Sequence, residues 1–326
     1  MEISHEEHDV NFKGYQIVDC VVRSKKFFYF SLREDYTQWD HWKDGMEAPS
    51  EENLSRRIVC FSREKTSLKR WGHVELSGYR NLRSGISKLP KEQYVGIDLE
   101  GSVYVIGGGE NEIEENVPTW ESNGPNRGTI SSCRTIDGYL YVTGLGRSVG
   151  YKTGKNTWSS LTQGIPYDYE KDQGKCGFED IDGFNVNDIY CVGGKGDVWN
   201  FNGKKWQQIY FPSNLDLYTV CCAGDGHVYI SGYGGTTFKG RGDKWKKIYK
   251  GQMAIPFKDM VWYEDKVWCT SDYGLWTIEN EKLEIADVDD EVKIASGYLS
   301  AEDGVLLLAG YNGAAYKQDG KWHSLF

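Results

Sequence analysis

The sequence predicts an all-β protein whose sheets repeat around a ring, and three observations carry that prediction. Segments 102–108, 138–144, 188–194 and 226–232 share one pattern of alternating aromatic and apolar residues closed by glycine. Each is followed, 16 or 17 residues after its central tyrosine, by Trp120, Trp158, Trp206 or Trp245, and weaker copies end at Leu283 and Trp322. These six anchors are 38, 48, 39, 38 and 39 residues apart. A fixed period of roughly 20 to 50 residues marks one supersecondary unit used repeatedly. Within a unit the pattern is β throughout. A short apolar run at 217–223 turns at Asp225-Gly226 into 227–231, Gly232-Tyr233-Gly234-Gly235 turns it into 236–239, and 240–243 lead to 245–248. That makes four strands, A to D, joined by glycine turns. So small a sheet cannot bury both faces alone, and closing the stacked units into a ring removes most exposed edges. The fold is a β-propeller.

Residues 94–326 supply six regular blades. Residues 14–80 supply an irregular first blade, with strands at 16–23, 26–33, 57–63 and 69–76 but without the glycine–tryptophan signature. The expected total is seven four-stranded blades, with six and eight as alternatives, in a single domain preceded by an extension at 1–13. A short helical turn is expected near 81–89.

The run Asp188-Ile189-Tyr190-Cys191-Val192-Gly193-Gly194-Lys195-Gly196-Asp197-Val198-Trp199, followed by Asn202-Gly203-Lys204-Lys205-Trp206, resembles the blades of bacterial tandem-repeat propellers. Its Gly-Gly doublet and distant tryptophan are also similar to kelch repeats. The resemblance spans about 94–326 and implies the fold. Such propellers include lectins, lyases, scaffolds and protein inhibitors, so function must come from the site. The Trp-Asp dipeptide of the propellers named for it is absent at the expected strand ends, and the complete Asp-box of sialidase-type propellers is absent too.

Composition excludes several classes. With 12 Trp, 22 Tyr, 12 Phe and 39% hydrophobic residues the chain is too rich in core formers to be disordered. No apolar run approaches the roughly 18 residues of a membrane span. A net charge of −10 argues against nucleic acid, whose phosphates require clustered Lys and Arg. Residues 1–8 carry neither the basic nor the apolar region of a signal peptide, so a cytoplasmic location is expected. The eight cysteines mostly stand in apolar runs and are expected as reduced, buried thiols.

No motif assembles a catalytic set. Gly146-Arg147-Ser148-Val149-Gly150 matches a nucleophile elbow but falls in a blade turn, where the required helix is missing. His5-Glu6-Glu7-His8-Asp9 clusters metal-ligand types on a terminus expected to be solvated. Arg241-Gly242-Asp243 spells an adhesion tripeptide where a C–D turn is needed, and the glycine-rich stretches 107–109 and 232–235 are turns. A sialidase needs several converging arginines, yet 177–326 holds only Arg241. The acid pairs Glu179/Asp180 and Asp289/Asp290 remain as glycosidase candidates. No cofactor or metal is expected.

The departures from the repeat concentrate charge. Segment 34–56 lies between strands B and C of the first unit and sums to −5; 109–117, after strand B of the second, to −4; and 164–176, joining the third unit to the fourth, to −1. Together they equal the net charge of the chain. In a propeller the B–C and D–A loops share one face, so all three are expected there. Acids and aromatics on long loops above a rigid scaffold suit a protein interface. The candidate partner-binding residues are Tyr36, Trp39, Asp40, Trp42, Glu112, Glu114, Glu115, Tyr167, Asp168, Tyr169 and Glu170. The leading expectation is a non-enzymatic propeller that docks a basic protein, such as a toxin-neutralising immunity protein meeting its toxin domain. The alternatives are acidic loops that serve only solubility, a carbohydrate-binding propeller with Trp39, Trp42 or Tyr167 stacking on sugars, and a propeller lyase or glycosidase. No membrane partner is expected, and the sequence leaves the oligomeric state open.

Overall fold

The computed structural model describes residues 3–326 except 44, 66–68, 173 and 175; Asp44 and Lys175, both counted in the loop charges above, lie outside the described residues. Among the described residues, twenty-eight strands form seven antiparallel four-stranded sheets spanning 15–76, 83–114, 130–160, 178–208, 217–249, 259–285 and 298–324. Each sheet uses four consecutive strands, so none is exchanged between the two ends of the chain. The A strands touch one another around the ring and form its inner wall. The seven-bladed propeller is therefore as the repeat predicts, and the first blade closes the ring.

The strands arise from the local sequence. Runs such as Tyr139–Gly144, Asp188–Gly193 and Val305–Gly310 are β-branched, aromatic or leucine-rich and almost wholly buried. Two-residue turns join A to B and C to D in most blades. At Asp137-Gly138 both φ angles are positive (47° and 84°), as they are at Asp303-Gly304 (51° and 74°), a geometry that favours Asp and Gly and matches strand twist.

Among the described residues the apolar side chains divide into seven clusters, one at each blade boundary, in place of a single central core. The repeated tryptophans serve these boundaries: Trp322 packs edge-on against Trp268 of the preceding blade at 5.7 Å, and the Trp206 indole N–H donates to the Leu161 carbonyl at 2.7 Å.

The boundary between the last and first blades has an added plug. Helix α1 (His5–Asn11) starts with a reciprocal capping box between Ser4 and Glu7. It sets Phe12 against Phe326 (4.3 Å), Trp71 (5.5 Å) and Phe30 (5.8 Å). His8 stacks on Phe12, and both His5 and His8 lie 3.9 Å from Asp9, so this cluster is part of the helix that closes the ring.

Two sequence expectations are corrected. Arg83–Ser87 is strand A of the second blade instead of a helical turn, held there by the Ser84 N–H donating to Asp19 of the first blade at 2.7 Å. Val103–Gly107 is strand C of that blade, although its pattern copies the B strands of later blades. The shift displaces the next anchor as well: Trp120 stands in a 3-10 turn beyond the blade, outside strand D.

Candidate functional site

The A–B and C–D connections, mostly two-residue turns, occupy one face, and the B–C and D–A connections, including 34–56 and 164–176, emerge on the other, upper face. That face also gathers exposed apolar groups. Met46, Trp120, Tyr169, Tyr210, Tyr233, Tyr273, Ile294 and Tyr311 stand on it, eight of the twelve large hydrophobics exposed among the described residues.

The first-blade insert is packed by its own side chains. Asp35 caps the 3-10 turn Tyr36–Gln38 by accepting from the Thr37 N–H at 3.1 Å and the Gln38 side chain at 2.8 Å. Tyr36 packs edge-on to Trp42 (4.8 Å) and Trp39 (6.3 Å), and the Trp39 indole N–H donates to Glu34 at 3.0 Å. The three aromatics are half-buried and shape the insert. Several acids are also committed internally, since Glu51 binds Arg33 (3.0 Å) and Arg56 (2.6 Å). Asp40, Glu47 and Glu52 face solvent, Glu52 with Arg80 at 3.7 Å.

On the 164–176 loop, Tyr167 lies half-buried under the Arg127 guanidinium (5.4 Å). Tyr169 meets Trp120 of the preceding D–A loop at 5.6 Å. Asp168 holds Lys171 at 2.6 Å, and with Glu170 it is exposed. The 164–176 loop and the first-blade insert share the upper face, and the loop carrying Trp120, read from the sequence as a strand D anchor, lies there with them.

The third segment does not join them. Glycines 107–109 make a C–D turn on the lower side, and Glu110–Glu114 is the outermost strand of the second blade. Glu114 is buried against Lys152 of the next blade at 2.5 Å, Glu112 pairs with Lys155 at 2.5 Å, and the Glu115 N–H donates to Asn156 at 3.0 Å. Glu112, Glu114 and Glu115 therefore belong to the blade edge, and only two of the three segments, 34–56 and 164–176, emerge on the upper face. The error comes from taking strand C for strand B.

Motifs set aside in the sequence have structural partners. The Ser148 hydroxyl donates to the Leu145 carbonyl at 2.6 Å and accepts from the Arg127 N–H at 2.7 Å. Arg241-Gly242-Asp243 spans the C–D turn of the fifth blade, with Arg241 bound to Asp188.

The ring encloses a central cavity of about 340 Å³ lined by the A strands. Four aspartates of the A strands, three of them (Asp19, Asp180 and Asp259) on the cavity wall, act between blades. Asp19 accepts from the N–H groups of Cys20 and Ser84, Asp180 from Ile181 and Val220, Asp182 from Gly183 and Cys222, and Asp259 from Met260 and Leu299. In each pair the second donor belongs to the next blade. Arg134 answers the charge, 3.6 Å from Asp180 and 3.4 Å from Asp259. Burial pushes the carboxyls up, Asp19 to about 7 and both Asp182 and Asp259 to about 6, with Arg134 or Arg83 opposing. Burial likewise pushes the Cys20, Cys191, Cys221 and Cys269 thiols up.

These aspartates give stability a pH slope. Their folded values lie above the unfolded carboxylate range, so the native state binds more protons between about pH 4 and 7, and stability falls as pH rises through that window. Channel water screens part of the effect, which leaves a loss on the order of 1–2 kcal/mol between about pH 5.5 and 8. Urea unfolding at the two pH values should show the higher midpoint at the lower pH, and D19N should remove most of the difference. A midpoint that rises with pH would contradict this account.

No family model matches the sequence. Among solved structures, the WD40 β-propeller domain of Doa1 superposes with a TM-score of 0.59 at 10% identity over 94% of this chain and 98% of that one. The RRP9 WD40 repeats give 0.61 at 12% identity over 95% and 91%. Virginiamycin B lyase from Staphylococcus aureus gives 0.53 at 11% over 74% and 82%. At such identities the likeness establishes a WD40-like seven-bladed propeller fold and nothing about activity. Sequence similarity reaches further with one curated protein, the immune protein Tsi7 of Pseudomonas aeruginosa. That protein is 33% identical over 219 residues, which cover 67% of this chain and 70% of the relative. The chain belongs to the family of the immune protein Tsi7.

Proposed function

We propose that this chain is a cytoplasmic, non-enzymatic immunity protein that neutralises a toxin by docking a basic protein surface on its upper loop face. The observation that carries the reading is membership of an immune-protein family. Two physical features support it. The upper face presents Asp40, Glu47, Glu52, Asp168 and Glu170 to solvent beside exposed aromatics. The channel aspartates Asp19, Asp180 and Asp259 are taken up by main-chain N–H groups, which leaves them ill placed for sugar chemistry. Tyr36, Trp39 and Trp42 contribute by holding the insert in shape, and Tyr167 and Tyr169 by building the second loop. The kelch-like doublets describe turn chemistry and carry no information about the partner.

A field of this sign accelerates encounter with a basic partner and is screened by salt. Tagged protein should capture a basic protein from its native host. The variant D40K/E47K/E52K should slow association about tenfold or more at low salt and flatten its salt dependence. Equal rates for the variant and the unaltered chain would refute the acidic-face docking.

A further inference from the structure

The upper face has a second region that neither the repeat nor the loop charges single out. In the fifth, sixth and seventh blades the B–C turn carries one tyrosine at its tip, Tyr233, Tyr273 and Tyr311, and these are 65%, 84% and 60% exposed. The turns do not require them. Glycines beside Tyr233 supply the left-handed conformations there, at φ 65° for Gly234 and 75° for Gly235. At the corresponding turns of the third and fourth blades stand Leu145-Gly146-Arg147 and Gly194-Lys195-Gly196, so the tyrosines are confined to one side of the ring.

Their mounts are fixed. The Tyr233 N–H donates to the Asp216 carbonyl at 2.9 Å, and the Tyr273 N–H donates to the Ser271 hydroxyl at 3.2 Å. Asp272 is paired with Lys258, and the connection between the sixth and seventh blades adds the exposed Asp287, Asp289, Asp290 and Glu291, so the charge of the region has the same sign as that of the insert. The region is continuous with the acidic insert through the Tyr311 hydroxyl, which donates to Asp35 at 3.4 Å.

We propose that Tyr233, Tyr273 and Tyr311 are the contact floor of the toxin interface. The apolar and amide surface of the toxin polypeptide rests on their rings, while its adjacent basic residues meet Asp40, Glu47 and Glu52. This rests on the immunity reading. A tyrosine on a rigid turn buries a large amphipathic ring while ordering only two side-chain torsions, which is why such residues dominate binding energy at interfaces. The sign of the neighbouring insert fixes the partner chemistry: a polypeptide whose apolar patch borders a basic one.

The test uses the protein that the unaltered chain captures from its native host, purified as the probe. The variant Y233A/Y273A/Y311A should bind it about 100-fold more weakly, mainly through faster dissociation, with its thermal midpoint and salt dependence unchanged. The variant Y233F/Y273F/Y311F, which keeps the rings, should stay within about threefold of the unaltered chain. If the alanine variant binds the captured protein as tightly as the unaltered chain, the tyrosine floor is refuted while the immunity reading stands. If the unaltered chain captures no protein, the immunity reading falls and this surface with it. Binding to a glycan array that vanishes in the alanine variant, with no protein captured, would make the floor a sugar platform and overturn the proposal.

Discussion

Glu114→Ala is expected to cost about 3–5 kcal/mol, because it leaves the Lys152 ammonium buried without its counter-charge. Both side chains are almost fully buried in the edge of the second and third blades. The ammonium lies 2.5 Å from Glu114 and 2.6 Å from the Gly154 carbonyl, and the Asn156 N–H donates to the same carboxylate oxygen at 3.0 Å. Urea unfolding measures the effect directly. The double variant E114M/K152M removes both charges and should recover most of the loss, since well-packed apolar side chains often replace a buried pair at little cost. A role for Glu114 in partner binding would give the opposite pattern of unchanged stability and weakened capture. An E114A protein as stable as the unaltered chain would therefore restore Glu114 as a binding candidate.

Phe12→Ala should be comparably severe, at about 3–5 kcal/mol, the usual range for truncating a buried phenylalanine. Phe12 meets Phe30, Trp71, His8 and Phe326, so it joins the helix, the first blade and the end of the chain. With no strand shared between the two termini, this plug and the cluster beneath it hold the ring shut. Hydrogen exchange should rise most in strands of the first and seventh blades, since the other boundaries keep their own clusters. Ser4→Ala, which removes only the helix cap, is expected to cost about 1 kcal/mol. Uniform acceleration of exchange around the ring would mean that closure is not local.

Where the sequence was legible, turn chemistry and period acted together. Asp225-Gly226 and the regular tryptophans place the later blades because both signals are local. In the second blade the signal misleads. The run 102–108 has the composition of a B strand, yet whether a strand is second or third in its sheet depends on how much chain precedes it. Arg83–Ser87 provides that strand from small and polar residues, and its partner is a carboxylate 65 residues away. That one displacement put Glu112, Glu114 and Glu115 on the wrong part of the molecule. On the insert the residue types were read correctly, but Tyr36, Trp39 and Trp42 turn toward one another, a packing that charge and composition do not reveal. Tyr233 was legible as part of a glycine turn, and the glycines explained the segment so fully that the tyrosine between them drew no separate account.

The distribution of apolar residues into seven boundary clusters has an evolutionary consequence. Each cluster is confined between two neighbouring blades, and the upper turns hang from strands whose inner residues are already satisfied. A change at one turn tip perturbs little beyond its own blade, because stability in stacked units is close to a sum of neighbour terms. Recognition can then drift one blade at a time while the scaffold stays intact. Such an architecture suits a lineage whose partner keeps changing its surface.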